Sequence, residues 1–284
     1  MRFLPAAGRV ARFAMNRRGM TSRFADTAAA RIHIYDGIGG GTLTPVVMLH
    51  GLGSAGAAFA GVVSGVRPHV ARVIIPELPG HGFSPHPGGD RKVTPELLLD
   101  AVTSSLEQVI DEPAIVYGSS LGGAMALKYA IHRPDRVRAL VLVSPAGARI
   151  TEDEQEELVR AFDVPGRREA QQFLERLYHR PPWFLGLVAR EFPHLLRTPA
   201  VREILASVTS EDSLGPDELS SLKMPILLLW GRSERLLPPS ALAYFRTHLP
   251  AHAVIEEPEG FGHTPQLEAP KRVAARIVEF VRGL

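Results

Sequence analysis

Residues 117–123 of this 284-residue chain read Tyr-Gly-Ser-Ser-Leu-Gly-Gly and join two segments of different character. The preceding residues 113–116 are a short apolar run that predicts a buried strand, and residues 124–130 have the composition of a helix. A strand that ends in Gly-x-Ser-x-Gly and turns directly into a helix presents its central serine in a sharp, strained turn, the nucleophile elbow. The stretch therefore predicts a reactive serine at the end of a strand.

Only one register of this motif fits such a turn. Side chains two residues to either side of the serine would collide with neighbouring backbone, so glycine is needed at both positions. Ser120 has Gly118 and Gly122 there, whereas Ser119 would have a tyrosine and a leucine. Ser120 is therefore the candidate nucleophile. Because Gly and Ser are favoured in ordinary turns as well, the motif alone leaves a purely structural interpretation open.

The rest of the chain alternates between apolar runs and helix-period segments. Continuous apolar runs are typical of strands buried on both faces of a parallel sheet, and they occupy residues 46–49, 73–75, 114–116, 140–143 and 226–229. Residues 30–35 alternate in polarity and predict one more strand. Helix-period segments lie between the strands, at residues 95–110, 121–132, 240–248 and 268–283. This alternation predicts an α/β fold with a doubly wound, mostly parallel sheet.

One segment interrupts the alternation. Between the last two apolar runs there is no strand-like stretch, only helical patterns that contain several prolines and many aromatic residues. Such an insertion predicts a helical cap over the carboxyl edge of the sheet, where open α/β sheets bind ligands. We therefore divide the chain into three parts. Residues 1–23 form a basic arm, residues 24–148 together with 223–284 form an α/β core, and residues 149–222 form the cap.

Composition excludes several classes of protein. The chain has no cysteine, which excludes disulfides, a cysteine nucleophile and thiolate metal sites. Its net charge of +2 conceals an asymmetry, because residues 1–25 carry six arginines and no acid, so that the remaining chain sums to −4. A nucleic-acid-binding protein would carry basic residues across the fold itself, so we expect no nucleic-acid partner.

The basic arm at residues 1–23 is predicted to be poorly ordered and without catalytic importance. It contains no uninterrupted apolar stretch, which argues against a secretory signal peptide. No run in the chain approaches the roughly 18 apolar residues needed to span a bilayer. We therefore expect a cytoplasmic protein without an integral membrane segment, with a targeting peptide or membrane-surface attachment as the alternatives for the arm. The sequence leaves the oligomeric state open.

A second glycine-rich loop follows the predicted strand at residues 46–49. Residues 50–56 read His-Gly-Leu-Gly-Ser-Ala-Gly, which contains Gly-x-Gly-x-x-Gly, and Glu77 ends the next strand as a ribose ligand would in a dinucleotide-binding protein. That fingerprint normally follows the first strand, whereas the strand at residues 30–35 comes earlier here. We favour a loop whose backbone N–H groups turn toward Ser120 and form half of an oxyanion hole. A nicotinamide-dependent oxidoreductase is the rival interpretation.

A serine nucleophile needs a general base, and eleven histidines are available. His263 lies in a loop directly before the last predicted helix, where an imidazole can reach the edge of the sheet. His50 and His81 lie in glycine-rich turns and are interpreted as structural hydrogen-bonding groups. His248 and His252 are four residues apart, but a proline between them interrupts any helix, so no metal site is predicted.

The base needs an acid that orients it. The loop after the strand at residues 226–229 reads Trp-Gly-Arg-Ser-Glu, and Glu234 is its only acid, while residues 144–147 after the preceding strand contain none. Glu234 is therefore selected by position and by elimination, against the alternative of a solvated loop glutamate. The resulting order of Ser120, Glu234 and His263 differs from the orders in chymotrypsin and subtilisin.

Five ordered motifs resemble those of the α/β-hydrolases, in particular the capped serine esterase and lipase group. They are His-Gly-Leu-Gly at residues 50–53, Leu-Pro-Gly-His-Gly-Phe-Ser at 78–84, Gly-Ser-Ser-Leu-Gly-Gly at 118–123, Trp-Gly-Arg-Ser-Glu at 230–234 and Gly-His-Thr-Pro-Gln-Leu-Glu at 262–268. The chain is similar to meta-cleavage-product hydrolases and to monoacylglycerol-lipase-like hydrolases. The resemblance covers roughly the whole chain after the basic arm and is weakest through the cap.

The resemblance implies hydrolysis of a small carboxylic ester through an acyl-enzyme on Ser120, without a metal or organic cofactor. The backbone amides of Leu52 and Leu121 would form the oxyanion hole. The aromatic and leucine content of the cap indicates an apolar acyl or aryl group in the substrate. Trp183 and Phe184 are the candidate substrate contacts, with packing of the cap onto the core as the alternative role.

Three departures from the family pattern bear on the function. Family members usually have aspartate where Glu234 stands, although glutamate can also orient an imidazole. A tryptophan usually follows the catalytic histidine in the carbon–carbon hydrolases, whereas Thr264 stands here, so that activity is the alternative and not the first choice. Ser120 counts against epoxide hydrolases and haloalkane dehalogenases, which use aspartate. A small-molecule receptor with an intact triad is a further alternative.

Overall fold

A mixed sheet runs through the middle of the molecule. The structure is a computed structural model that describes the backbone of residues 4–182 and 192–284 and the side chains of residues 10–182 and 193–284. Its strands are β1 (Thr21–Asp26), β2 (Arg31–Ile38), β3 (Val46–Leu49), β4 (Arg72–Pro76), β5 (Ala114–Ser119), β6 (Val137–Val143), β7 (Ile226–Leu229) and β8 (Val254–Glu256). They are arranged in the order β1-β2-β4-β3-β5-β6-β7-β8. β2 pairs antiparallel with both β1 and β4, and every other pairing is parallel.

Helices cover both faces of this sheet. In chain order the described helices are α1 (Leu4–Asn16), α2 (Ala60–Val66), α3 (Pro95–Glu107), α4 (Leu121–His132), α5 (Glu152–Ala161), α6 (Arg167–Leu177), α7 (Phe192–Leu196), α8 (Pro199–Ser207), α9 (Pro216–Ser220), α10 (Pro239–His248), α11 (Pro265–Glu268) and α12 (Pro270–Arg282). On one face α3, α4 and α10 bury residues such as Leu98, Met125 and Phe245. On the other face α2 and α12 bury Val62 and Ile277 among others. The predicted α/β fold with a mostly parallel sheet is confirmed.

The apolar runs predicted the central strands because those strands are covered on both faces. All residues of β3, β5 and β7 are buried. The two edge strands were not predicted, since β1 and β8 have mostly exposed or half-buried residues and therefore no continuous apolar run. Hydrophobic periodicity identifies a strand only where both of its faces, or one whole face, are removed from water.

The structure differs from the poorly ordered arm expected over residues 1–23. Residues Leu4–Asn16 form α1, and β1 begins at Thr21, within the expected arm. Met15 and Met20 are fully buried in the apolar cluster on the α2 and α12 face of the sheet. These two methionines tie the segment to the core, and the high arginine content of the arm concealed them.

Between β6 and β7 the described residues form helices and connecting segments, and we keep the name cap for this region, residues 149–222. Phe162, Phe173 and Leu174 of this region pack with Leu196 into a small apolar cluster that also includes Leu236 from the core. Trp183 and Phe184, the predicted substrate contacts, lie outside the described residues. Across the described ranges, we find no helix that combines the length and the apolar character required to traverse a bilayer.

Candidate active site

Ser120 occupies the turn between β5 and α4 in a backbone conformation that L-residues seldom adopt. Its φ is 54° and its ψ is −122°. Such a conformation costs of order 1–3 kcal/mol and persists only where the surrounding structure enforces it. A Cβ on Gly118 would lie 2.3 Å from the carbonyl oxygen of Gly122, and a Cβ on Gly122 would lie 2.2 Å from that of Leu49. The glycines therefore allow the tight turn that holds Ser120 in this geometry.

Ser119 faces away from this position. Its side chain is 1% exposed, and its hydroxyl accepts a hydrogen bond from Nε2 of Gln266 at 3.2 Å. Ser120, in contrast, is only half-buried and lines a cavity. The two adjacent serines thus have different environments, and the strained turn selects Ser120.

The loop after β3 lies against the strained serine. A Cβ on Gly51 would be 3.1 Å from the Cβ of Ser120 and 3.7 Å from its hydroxyl oxygen. Leu121 is the first residue of α4, where backbone N–H groups have no partner within the helix. Neither Leu52 nor Leu121 donates a backbone hydrogen bond within the described part of the chain. Two amides are therefore available near Ser120, on the loop and at the helix N-terminus.

Glu234 follows β7 and is held in place on both carboxylate oxygens. Its Oε1 accepts hydrogen bonds from the amides of Leu236 at 2.8 Å and Leu237 at 3.0 Å. Its Oε2 lies 2.8 Å from Nδ1 of His263. The side chains of His263 and Glu234 are 3% and 2% exposed, so this pair is shielded from water. The two backbone amides fix a side chain whose extra methylene, relative to aspartate, would otherwise leave it freer to rotate.

The surroundings favour the ionised form of Glu234. Burial raises its pKa, but the charge and hydrogen bond of His263, helped by the Leu237 amide, outweigh burial and bring the pKa below its ordinary value. With the carboxylate ionised, Nδ1 of His263 carries the proton that it donates, and Nε2 is left as the acceptor. The hydrogen bond at Nδ1 thus selects, for the neutral ring, the tautomer in which Nε2 is the acceptor.

Ser144 is a neighbour of this pair that sequence reasoning missed. It directly follows β6, is fully buried and has a φ of 39°. Its hydroxyl lies beside the Glu234 carboxylate and contributes to lowering the pKa of that group, although it makes no well-formed hydrogen bond within the described residues. In the sequence, a serine after β6 has no feature that distinguishes it from an ordinary loop residue.

A second group of buried polar residues lies at the end of β4. The Glu77 carboxylate accepts hydrogen bonds from the amides of Gly56 at 2.8 Å and Phe83 at 2.6 Å, and lies 2.9 Å from Nδ1 of His33. Glu77 is 1% exposed and its oxygens are occupied by these contacts. The ribose-ligand role that the rival interpretation would give to Glu77 therefore has no support in its surroundings.

His50 and His81 are structural, in line with their interpretation from the sequence. Nδ1 of His50 donates to the carbonyl of Gly51 at 2.9 Å, and its Nε2 accepts from the amide of Leu78 at 3.0 Å, which fixes a neutral tautomer. Burial lowers the pKa of His50, and burial likewise lowers that of His81 to about 4. Both rings therefore stay uncharged near neutral pH, and His50 ties the loop after β3 to the end of β4.

A cavity of about 130 Å³ opens at Ser120. Its walls are mostly apolar, and one of them is the face of α4 that carries Leu121, Ala124 and Met125. The cap supplies the opposite wall with Leu158, Val159, Phe162, Ile204 and Leu205. These cap residues were not predicted, because the sequence does not reveal which face of each cap helix turns toward the core. No group of three metal-ligating side chains occurs within the described ranges.

Residues 177–180, which we call the cap anchor, join the cap to the loop that carries Glu234. Nδ1 of His179 lies 2.6 Å from the hydroxyl of Ser233. The guanidinium of Arg235 donates to the carbonyl of Tyr178 at 2.9 Å and to that of His179 at 3.1 Å. The residues on both sides of Glu234 in the chain are therefore bonded to the cap.

The cap anchor also contacts the loop that carries His263. The amide of Thr264 donates to the carbonyl of Leu177 at 3.1 Å. The Glu268 carboxylate accepts from the amides of His179 at 2.6 Å and Gly262 at 3.0 Å. A Cβ on Gly262 would lie 2.6 Å from the backbone nitrogen of His179, so the two segments approach closely. One short piece of the cap thus touches both loops.

Comparisons with known proteins agree with this architecture. Residues 44–270 match the sequence profile of the alpha/beta hydrolase fold family. The pimeloyl-[acyl-carrier protein] methyl ester esterase of Neisseria meningitidis serogroup C is 31% identical over 252 residues, which cover 84% of this chain and 94% of the relative. Monoacylglycerol lipase ABHD6 of Homo sapiens is 25% identical over 264 residues, covering 84% of this chain and 75% of the relative.

A solved structure shows the same fold. The meta-cleavage product hydrolase from Pseudomonas fluorescens IP01 superposes with a TM-score of 0.77 at 21% identity, covering 92% of this chain and 97% of its own. The profile match extends over most of the chain and includes the loop after β3, the elbow at Ser120 and the loops that carry Glu234 and His263. The chain therefore belongs to the alpha/beta hydrolase fold family.

Proposed function

We propose that this protein hydrolyses carboxylic esters through an acyl-enzyme on Ser120. The observation that carries the proposal is the shielded pair of His263 and Glu234, with 2.8 Å between Nδ1 and Oε2. This pair follows β8 and β7, whose carboxyl ends share an edge of the sheet with the strained turn after β5. An esterase and a lipase among the relatives support the reaction type.

In the acylation step, Nε2 of His263 takes the proton of the Ser120 hydroxyl as the oxygen attacks the ester carbonyl. Glu234 keeps the Nδ1 proton in place and stabilises the imidazolium that forms. The carbonyl oxygen becomes an oxyanion, which accepts hydrogen bonds from the amides of Leu52 and Leu121. Each such donor is worth about 3 kcal/mol of barrier in comparable enzymes. The tetrahedral intermediate then expels the alcohol, which takes its proton from His263.

Deacylation repeats this chemistry with water. His263 removes a proton from a water molecule, the hydroxide attacks the acyl carbonyl, and the same amides stabilise the second oxyanion. Collapse of this intermediate breaks the bond to Ser120, whose oxygen recovers its proton from His263. The products are a carboxylic acid and an alcohol, and the protein returns to its starting state.

The cavity beside Ser120 supports an apolar acyl or aryl group in the substrate. Its walls are formed by aliphatic side chains of α4 and of the cap, with Phe162 among them. A cavity of about 130 Å³ has room for a short chain, and burial of each methylene in such a site contributes about 0.8 kcal/mol to binding. We therefore expect kcat/KM to rise with acyl length until the cavity is filled, and then to stop rising.

The test is a series of p-nitrophenyl esters of increasing chain length, assayed with wild type, Ser120→Ala and Ser119→Ala. Ser120→Ala should lower kcat by about 10⁵-fold or more, because residues of a triad act as a unit. Ser119→Ala is the matched control, since it removes the neighbouring hydroxyl and should leave most of the activity. Intact-protein mass spectrometry of a slow substrate should show an acyl adduct on wild type and none on Ser120→Ala. Full activity of Ser120→Ala would contradict the proposal.

The same preparation distinguishes the other candidate activities. Faster turnover of a vinylogous diketone than of any ester would favour carbon–carbon hydrolysis. A single slow burst without turnover would indicate a receptor. An absorbance change that depends on NAD would indicate an oxidoreductase.

A further inference from the structure

The N-terminal helix α1 has an outward face that combines apolar and basic side chains. Val10 and Phe13 are 66% and 60% exposed, which places them among the most exposed large apolar side chains of the described residues. They lie three residues apart and therefore share one side of the helix. Arg17 follows four residues later, directly after the end of α1, and continues the same side. The guanidinium of Arg17 lies 5.5 Å from the centre of the Phe13 ring. We call these three residues the outer stripe of α1.

The opposite side of α1 is attached to the core, so the outer stripe is held outward. Met15 is fully buried. Arg12 covers the ring of Phe83 at 4.0 Å, and Arg18 donates to the hydroxyl of Ser64 at 2.9 Å. Because α1 is packed against the core through its other side, the outer stripe is held in contact with solvent.

A third exposed apolar side chain flanks the helix. Phe24 on β1 is 43% exposed and packs edge-on against His33, with ring centres 5.3 Å apart. His33 in turn lies 5.1 Å from Phe83, the ring that Arg12 covers. Phe24 is thus linked to α1 through the buried ring of His33 and the half-buried ring of Phe83.

The charge on α1 and on the turn that follows it has one sign. No acidic residue occurs among residues 1–25, and within the described residues no carboxylate lies within 4 Å of Arg12, Arg17 or Arg18. The next acid in the chain, Asp26, is paired with Arg31 at 3.4 Å. The rest of the chain carries a net charge of −4, so the positive charge is concentrated on this one region.

From these observations we propose that α1 binds the surface of an anionic lipid bilayer. A helix with an apolar stripe and flanking arginines lies in the plane of the interface, where its apolar side chains enter the acyl boundary and its guanidinium groups meet lipid phosphates. Charge complementarity selects this occupant. Phe13 and Val10 enter the bilayer, Arg17 pairs with headgroups, and the buried Met15 keeps the rest of the protein against the surface.

Flotation of the full-length protein with vesicles tests this surface. Vesicles of phosphatidylcholine are compared with matched vesicles that also contain phosphatidylglycerol, at low and at high salt. Wild type should float with the anionic vesicles only, and salt should release it, because exposed charges are screened. Arg17→Glu combined with Phe13→Asp should lower partitioning by about tenfold or more. Turnover of a soluble short-chain ester should stay unchanged, because neither residue is near the proposed active site.

Two variants serve as matched controls. Val254→Asp places an acid at another exposed apolar side chain, 43% exposed on β8, and Arg160→Glu reverses another exposed arginine, on α5. Both should float as wild type does. Equal flotation with neutral and anionic vesicles, no flotation with either, or an equal loss in the control pair would overturn the proposal. The proposal would also be overturned if the protein were a dimer in lipid-free solution and Phe13→Asp made it dissociate. The outer stripe would then bind a second copy of this chain and not a bilayer.

Discussion

The protein contains two buried histidine–carboxylate pairs with nearly the same geometry and very different surroundings. His263 and Glu234 are 2.8 Å apart, His33 and Glu77 are 2.9 Å apart, and all four side chains are at most 3% exposed. The first pair follows two neighbouring parallel strands at the edge where Ser120 lies. The second pair joins β2 to the residue after β4, and Phe24, Tyr35 and Phe83 surround the His33 ring.

The difference shows that distance and burial do not identify a catalytic pair. Nε2 of His33 is buried and has no hydrogen-bond partner within the described residues, and the ring is enclosed on its other sides. The Glu77 carboxylate accepts hydrogen bonds from the amides of Gly56 and Phe83, which belong to two separate segments of the chain. We therefore assign a stabilising role to the pair of His33 and Glu77, and the proposed catalytic role to the pair of His263 and Glu234. Four predictions test this assignment.

The largest expected effect concerns the acid of the proposed active-site pair. Glu234→Gln should lower kcat by about 10⁴-fold, because an amide cannot hold the Nδ1 proton of His263 as a carboxylate does. Steady-state kinetics with a p-nitrophenyl ester measures the change, and circular dichroism verifies the fold. Glu211→Gln, at an exposed glutamate in the cap, is the control and should be near wild type. Equal losses in both variants would mean that a different group orients the base.

A smaller effect, on stability, is expected at the other pair. Glu77 receives three donors, from Gly56, Phe83 and His33, whereas the glutamine of Glu77→Gln has one acceptor oxygen and a donor amide. Breaking a buried pair of this kind costs about 3 kcal/mol in free energy of unfolding. Urea denaturation measures this loss, with Glu112→Gln in an exposed loop as the control. The kcat of the folded fraction should fall far less than in Glu234→Gln, and a comparable fall would remove the distinction between the pairs.

The pH dependence of the Glu77 variant follows from the same contacts. Burial raises the pKa of Glu77, but the hydrogen bonds from His33 and from the Phe83 amide bring it below the ordinary value. The folded pKa is therefore lower than the unfolded one, so the ionised group stabilises the fold above the unfolded pKa and this contribution is lost as pH falls through the folded pKa. Glu77→Gln should flatten the acid limb of a stability curve, and an unchanged limb would contradict the assignment.

At neutral pH the smallest effect is expected at His81, which lies beside the Glu77 group, because its influence on stability develops only as the pH falls. Burial lowers the pKa of His81 to about 4. Between about pH 6.5 and that value the unfolded chain binds a proton that the folded chain excludes. The free energy of unfolding therefore decreases as the pH is lowered, by up to about 1.4 kcal/mol per pH unit. His81→Asn, which can still donate to the Pro79 carbonyl, should reduce this slope. Urea midpoints at a series of pH values measure it, and the exposed His132→Asn should leave the slope unchanged.

The sequence predicted the residues whose position follows from chain order. Ser120 was selected because only its register has glycine on both sides, and Glu234 because its loop contains no other acid. The central strands were predicted because burial on two faces requires continuous apolar residues. These inferences need only local composition and the rule that strand ends share an edge.

What the sequence did not predict depends on packing between distant segments. Met15 fixes α1 to the core, yet in the sequence it is one apolar residue among many arginines. Ser144 approaches Glu234 only because β6 and β7 are neighbours in the sheet. The cap residues Leu158 and Ile204 line the cavity because of the way each helix turns toward α4. The choice of Trp183 and Phe184 as substrate contacts falls outside the described residues and stays a prediction.

The cap anchor has a consequence for the order of events in a catalytic cycle. Its hydrogen bonds involve Ser233 and Arg235 on one loop and Thr264 and Glu268 on the other. Any displacement of the cap at residues 177–180 would remove support from the loops that hold His263 and Glu234, the proposed base and its acid. Under the proposed mechanism, ester cleavage would therefore require the cap anchor to be in place.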